Sequence, residues 1–414
     1  MGTDIKTWAI QSAAQFGKVW SFDNYWKRSN TFHAYLRFID AAEQRWGKTD
    51  PALEPIRKLR STMVDANRSY FKKFIGDDKV WCDDYGWCGI SCIAAGNYLL
   101  AIDDGPAAQE YFELAGACWA QMRETGYDAT DSATPVPHGC GNVSPERKRN
   151  GEGHGTRNTV TNINLLLLSL ELNSVAPASL YAEMISSQLT WFGTWFSKPY
   201  TSLDDGPYLR GIPGPRSLIH ERPMAKETYV RTNDGDWESG WVWTGDQGMM
   251  LMALAEVISS GISVPGIAPT VFRNAFTTMI AGTEALLFGA DKVLREPPFT
   301  SSFGPTYAPD YVGGRGVMLR YVTEPVVAKV LGRPFNRDGV IATAQAAWAS
   351  ATSNQFGTQW ARAGDAAYNQ RFVEAWGTGH PGITEWSLDP TKYYGVLQAN
   401  GLDAMTAAIR LGAA

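Results

Sequence analysis

The sequence predicts an all-α fold, an (α/α)6 toroid of six inner and six outer helices, and three observations carry that expectation. Apolar residues recur at helical spacing along most of the chain, whereas alternating strands are scarce. The helices fall into two kinds that alternate in order. Three connections, 126–157, 199–240 and 288–314, are polar, rich in Gly and Pro and longer than ordinary turns, as cleft-forming loops are.

From the N-terminus, residues 5–20 read as the first helix and 31–46 as the first of the inner kind. Residues 51–74, "PALEPIRKLRSTMVDANRSYFKKF", carry one apolar stripe and a charged face, which places them outside. The helix over 87–102 belongs to "GWCGISCIAAGNYLLA", apolar nearly all round and lined with small residues, as a helix buried on every side is. The stripe returns over 106–124. Inner helices follow at 158–172, with "TNINLLLLSLEL", and 246–260, with "DQGMMLMALAEVI"; helices 178–197 and 268–287 alternate with them. Helices 315–330, 338–353 and 394–411 complete the set, the first and last being inner. No linker divides the chain, so one domain over 1–414 is expected.

Composition narrows the function. A net charge of −5 and the lack of any Lys/Arg block argue against nucleic acid or an anionic membrane as partner. No apolar window is long enough for a membrane span. Sixteen Trp, 17 Tyr and 17 Phe are a high share; a tryptophan-rich core explains most of them, and the composition also suits an apolar-faced cleft in which flat rings stack on sugar faces or large hydrophobes. Five cysteines lack a disulfide framework, and Cys140, His138 and His154 lack the tight spacing of a zinc site, so no metal or organic cofactor is expected. The N-terminal stretch does not read as a signal peptide, which leaves an intracellular protein or a removed leader. A monomer is expected.

In such a toroid the loops that feed the inner helices gather at one end, so chemistry is sought at the inner-helix starts. "WCDDYGW" sets Asp83 and Asp84 side by side before the second of them. Crowded carboxyls repel, which raises the proton affinity of one and suits it to act as acid while its neighbour stays ionised. Retaining glycosidases need such a pair about 5 to 5.5 Å apart. Helix capping by either aspartate is the alternative. "GDDK" and "IDDG", at 76–79 and 102–105, are pairs of the same kind that read as solvated turns; 83–84 differs in its company of Trp81, Tyr85 and Trp87.

Four motifs in order, "WCDDYGW", "RNTVTNINLLLLSLEL", "TWFGTWFSKPYTSLDDGPYL" and "WVWTGDQGMMLMAL", resemble those of glycoside hydrolase family 76, the endo-α-1,6-mannanases. The resemblance spans 81–255 and implies the toroid, with Asp83 as nucleophile and Asp84 as acid/base. It further implies a cleft lined by Asn158 and Asn162, one helical turn apart, near Asp205 and Gln247, and by aromatic platforms from Trp81, Tyr85, Trp87, Trp241 and Trp243. An extracellular or cell-envelope glycan is the implied target.

Two departures bear on the substrate. Cys82 and Cys88 stand where aromatic residues are usual, and Gly245 and Asp246 replace a Tyr-Asn pair, so Asp246 brings a new carboxylate to a sugar subsite. "NDGDWESGW" at 233–241 reads as a substrate-facing or solvated loop, and Arg315, Arg320 and His380 as further candidates for hydroxyl recognition. The expectation is a retaining hydrolase of an α-linked glycan, α-1,6-mannan or a related α-mannoside. The alternatives are a glycan-binding protein of the same fold with lost or changed activity, and a related toroid hydrolase or transglycosylase acting on another α-linked polysaccharide.

Overall fold

The computed structural model describes residues 4–21, 24–129, 139–197, 209–212, 214–221, 242–298, 311–360, 365–377 and 394–413. Asp205, Trp241, the 233–240 loop, His138 and His380 lie outside the described residues. Among the described residues, fourteen α-helices of seven residues or more organise the fold: α1 Ile5–Phe16, α2 Tyr25–Trp46, α3 Glu54–Lys72, α4 Cys82–Leu100, α5 Gly105–Thr125, α6 Thr159–Val175, α7 Ser179–Ser197, α8 Thr244–Ser260, α9 Pro269–Leu286, α10 Gly314–Val322, α11 Pro325–Leu331, α12 Arg337–Ala349, α13 Asp365–Trp376 and α14 Tyr394–Arg410.

Six of them close a ring. Helix α2 packs on α4, α4 on α6, α6 on α8, α8 on α10, α10 on α14, and α14 returns to α2. Outside this ring, α1 covers α14, α3 lies against α2, α5 against α4, α7 against α6, α9 against α8, and α12 against α14. This is the alternation of inner and outer helices that the two residue patterns require. Small residues let the inner helices approach: a Cβ on Gly86 of α4 would lie 2.5 Å from Asn164 Cβ of α6.

The departures from expectation have local causes. Helix α2 starts at Tyr25, six residues before 31, because Asn24 caps it, its Oδ1 accepting from the Lys27 N–H at 3.1 Å. The helix expected over 315–330 breaks into α10 and α11 where Pro325, which has no N–H to donate, opens the second piece. Within 199–240 an antiparallel hairpin forms from β1 Leu209–Ile212 and β2 Arg216–Ile219, and β2 rests on α9. Among the described residues no helix is long and apolar enough to cross a membrane.

The ring is sealed by a buried ion pair between its last two helices. Arg320 on α10 donates from Nε and Nη2 to Asp403 on α14, at 3.0 and 2.7 Å, and both side chains are 1% exposed. A further Nη1 bond of 2.7 Å reaches Asn30 Oδ1 on α2, so one guanidinium ties three inner helices. Removing one partner of such a pair leaves a buried charge uncompensated. Asp403→Leu is expected to lower unfolding stability by about 3–5 kcal/mol, and the Arg320→Leu/Asp403→Leu double variant to recover part of that loss; urea denaturation of the variants measures both.

Candidate active site

The starts of α2, α4, α6, α8 and α10 converge on one cleft of about 520 Å3. Asp83 and Asp84 both line it. Neither caps α4, since the cap position is Trp81, and the two aspartates stand in the first turn. The unpaired N–H groups and positive dipole end there favour carboxylates. Successive helix residues point about 100° apart, so two neighbours can reach one cavity while their side chains diverge. Loop 139–143 holds this turn in place: the Cys82 N–H donates to Val143 O at 3.2 Å and the Asp83 N–H to Asn142 Oδ1 at 3.3 Å.

Aromatic rings form a continuous wall beside the pair. Trp87, one turn beyond Asp83, lies 6.5 Å from Trp26 and 6.1 Å, edge-on, from Trp243, whose ring is 5.8 Å from Tyr311. All four rings border the cleft, as does Trp81, over which the Arg147 guanidinium sits at 4.6 Å. Gly245 explains the pose of Trp243: a Cβ there would lie 2.5 Å from the indole ring. The missing side chain at 245 is the space that Trp243 fills, so the wall keeps an aromatic surface where a residue of that type is absent from the chain.

Asn158 lines the cleft, with its Nδ2 donating to Glu221 Oε1 at 3.0 Å. Four other expected contacts, Tyr85, Asn162, Gln247 and Asp246, are absent from the cleft lining. Tyr85 is fully buried and its hydroxyl donates to Phe74 O and Asp77 O, at 2.8 and 3.2 Å, away from the cleft. Asn162 clamps a loop instead: its Oδ1 accepts from the Cys140 N–H at 2.7 Å and its Nδ2 donates to Cys140 O at 2.8 Å. Gln247 does the same to β2, accepting from the Ile219 N–H at 2.9 Å and donating to Ile219 O at 2.8 Å. Asp246 is fully buried and does not border the cleft. Arg320 serves the ion pair described above, and Arg315 stacks 4.1 Å over Trp360 and donates to Thr358 O.

Glu221, Asn142, Trp26 and Tyr311 are cleft residues that sequence reasoning missed. Glu221 follows the β2 run "RSLI", and that short strand was the one signal that the long loop re-enters the fold. Its Oε2 accepts from the Val160 N–H at 3.1 Å, which sets the carboxylate on the start of α6. Behind the wall, Glu296 accepts from the Thr244 N–H and hydroxyl at 2.7 and 2.5 Å. Burial pushes its carboxyl up to about 7 although the Thr244 bonds and Arg315 pull the other way. Burial and the neighbouring Glu221 and Glu296 carboxyls raise Asp246 well above the usual carboxylate range. Among the described residues no group of His, Cys, Asp and Glu is arranged to hold a metal ion.

No protein-family profile matches the sequence, and no curated protein does. Solved structures do match in fold. The chain is similar to the Lin0763 protein from Listeria innocua, with a TM-score of 0.63 at 13% identity over 99% of this chain and 98% of that one. It is also similar to an inactive variant of the α-1,6-mannanase GH76A of Salegentibacter sp. HEL1_6, in which two consecutive aspartates are replaced by alanine, in complex with α-1,6-mannotetrose; here the TM-score is 0.58 at 15% identity, over 99% and 100% of the chains. A family 76 glycoside hydrolase from a bovine Bacteroides thetaiotaomicron strain gives 0.59 at 13% identity, over 100% and 78%. The resemblance read from four motifs is therefore matched by the (α/α)6 toroid itself.

The raised carboxyls behind the cleft make stability depend on pH. A group with a higher proton affinity in the folded state than in the unfolded chain stabilises fully below its unfolded pKa, about 4.3 for Glu, and loses that contribution as pH climbs through its folded value. For Glu296 that window closes at about 7. The thermal midpoint is expected to fall between pH 5 and pH 8, and Glu296→Gln to make the fall shallower; calorimetric scans across that range measure the difference.

Proposed function

We propose that this chain is a retaining glycoside hydrolase that cleaves an α-linked glycan, with α-1,6-mannan or a related α-mannoside as substrate. One observation carries the reading: two consecutive aspartates in the first turn of a buried helix border one aromatic-walled cleft. The fold adds support, because an α-1,6-mannanase of the same architecture is inactive when two consecutive aspartates are replaced.

In this reading the sugar rings lie against Trp87, Trp243 and Trp81, whose flat faces match the apolar faces of hexoses. Asp83 attacks the anomeric carbon as Asp84 gives its proton to the departing glycosidic oxygen, through an oxocarbenium-like transition state. The bond to the leaving sugar breaks as the bond to Asp83 forms, and its electron pair goes to the oxygen that Asp84 protonates. Asp84, now a carboxylate, takes a proton from water, which attacks the glycosyl-enzyme and frees Asp83. Both carboxylates gain from the helix N-terminus when ionised, so the proton held by Asp84 depends on the charge on its neighbour.

Asp83→Asn is expected to abolish reducing-sugar release from α-1,6-mannan. Asp84→Asn is expected to lower kcat by roughly 10²–10⁴-fold, and by less on aryl mannosides, whose leaving groups need no proton. Both variants should bind mannan fragments in calorimetric titration and melt within a few degrees of the wild type. Full turnover by both variants would remove the pair from the mechanism, and binding without release by the wild type would make the protein a glycan binder.

A further inference from the structure

Arg147, Lys148 and Arg149 are consecutive basic residues, and Arg147 is the one that borders the cleft. Its neighbours pin the segment. Lys148 Nζ donates to Glu124 O and Thr125 O, at 2.7 and 3.0 Å, at the C-terminal end of α5. Arg149 forms a two-armed pair with Asp78, at 2.9 and 2.7 Å, ahead of α4, and the Glu146 N–H donates to Asp78 O at 2.9 Å. Ser144 opens the turn, its hydroxyl oxygen accepting from the Arg147 N–H at 3.4 Å. Held on two sides, the segment carries Arg147 to the cavity that Asp83 and Asp84 border.

The Arg147 side chain is oriented at two points and uncommitted at its tip. Its guanidinium sits 4.6 Å over one face of Trp81, and its Nε donates to Glu152 Oε1 at 2.9 Å. Contacts of this kind add little stability at an exposed site, but they restrict the plane of the group. A guanidinium carries five N–H donors in that plane. Glu152 takes the one on Nε, and Nη1 and Nη2 have no hydrogen-bond partner among the described residues.

Exposure and charge say what those donors meet. Trp87, Trp243 and Tyr311 are 5%, 6% and 8% exposed, whereas the Arg147 side chain is 47% exposed, and Asp83 and Asp84 are intermediate. A glycan that passes the aspartates therefore has one part against buried rings and another at the open Arg147 edge. Among the described residues that line the cleft, Asp83, Asp84 and Glu221 bring three carboxyl groups and Arg147 the one cation, itself paired with Glu152. That balance disfavours a phosphate or carboxylate on the sugar and leaves hydroxyl oxygens as the acceptors.

We propose that Arg147 is a substrate-contacting residue whose two terminal nitrogens donate to neighbouring hydroxyls of a neutral sugar on the solvent side of the cleaved bond. The proposal rests on the glycoside hydrolase reading and adds to it a binding contact outside the aspartate pair. Two acceptors side by side suit arginine rather than lysine, because an ammonium is a point charge without a fixed plane of donors.

The test is calorimetric titration of α-1,6-linked mannotetraose into the Asp83→Asn protein, with wild-type hydrolysis assayed in parallel. Adding Arg147→Met, which keeps an unbranched stem and removes every donor, is expected to weaken binding about tenfold. In the otherwise wild-type enzyme the same change should raise KM more than it lowers kcat, with the melting temperature within a few degrees. Arg147→Lys should stay within about threefold of Arg147→Met, and inorganic phosphate should not displace the tetrasaccharide. Unchanged binding with Arg147→Met overturns the contact. Full affinity with Arg147→Lys overturns the paired-donor geometry, since charge alone would then suffice. Displacement by phosphate that Arg147→Met abolishes overturns the choice of a neutral acceptor. Should the Asp83→Asn protein not bind the tetrasaccharide and the wild type not cleave it, the mannan reading falls and this inference falls with it; cleavage by the wild type beside undiminished binding in Arg147→Met sinks this inference alone.

Discussion

Six helices buried on every side impose the constraint from which the rest follows. A helix in the centre of a toroid has no solvent-facing stripe, so each polar side chain on it must find its partners inside the protein or cost about 1–3 kcal/mol. The chain meets this with amides that clamp backbone. Asn162 on α6 holds Cys140, Gln247 on α8 holds Ile219, and Asn400 on α14 bonds Val312 O at 2.7 Å and the Gly316 N–H. Gln398 reaches Ser12 O at 2.9 Å and Asn354 O at 3.2 Å. In each case an inner helix satisfies its own polar group by fixing a segment that borders it. Two of those segments deliver cleft residues, Asn142 from the Cys140 loop and Glu221 from β2. The same amides thus satisfy inner-helix polar groups and fix the segments that carry these cleft residues.

Both ends of the ring bury carboxyl groups, with different partners. Toward the C-terminal ends of the inner helices, Glu324 meets Arg37 and Arg410 at 2.5 and 2.6 Å, and although burial opposes it, the two guanidiniums hold its carboxyl below the usual range. Burial dominates for its neighbours: it raises Glu171 to about 7, and it raises Glu256 and also Asp403, the last although Arg320 pairs with it. At the cleft end the acids lean on helix N-termini, on Thr244 and on one another, with Arg315 the neighbouring cation for Glu296.

Much of this was legible in the sequence, and the parts that were not share a cause. Helix kind and order could be read because complete burial leaves a mark at every position, as in "TNINLLLLSLEL". The aspartate pair could be found because it opens such a helix in aromatic company. Asn162 and Gln247 were expected in the cleft because the resemblance implied it, with Asn162 on one helical face with Asn158; sharing a face does not say whether that face meets a cavity or a returning loop. Tyr85 follows the aspartates directly, yet its place one residue beyond them turns it toward Phe74 and Asp77. Glu221 escaped notice because a carboxylate inside a long polar connection looks like any other until Ile219 is seen clamped to α8. Helix α13 was missed although Tyr368, Phe372 and Trp376 recur every fourth residue along it and are buried.

The central claim is that neighbouring carboxyls on one helical turn divide the work of nucleophile and acid. Proton NMR of the anomeric signals during the first minutes of mannan-fragment hydrolysis addresses it directly, before mutarotation mixes the products. Two successive displacements at the same carbon predict that the α-anomer of the released sugar appears first. Initial release of the β-anomer would mean a single displacement by water and would contradict the account.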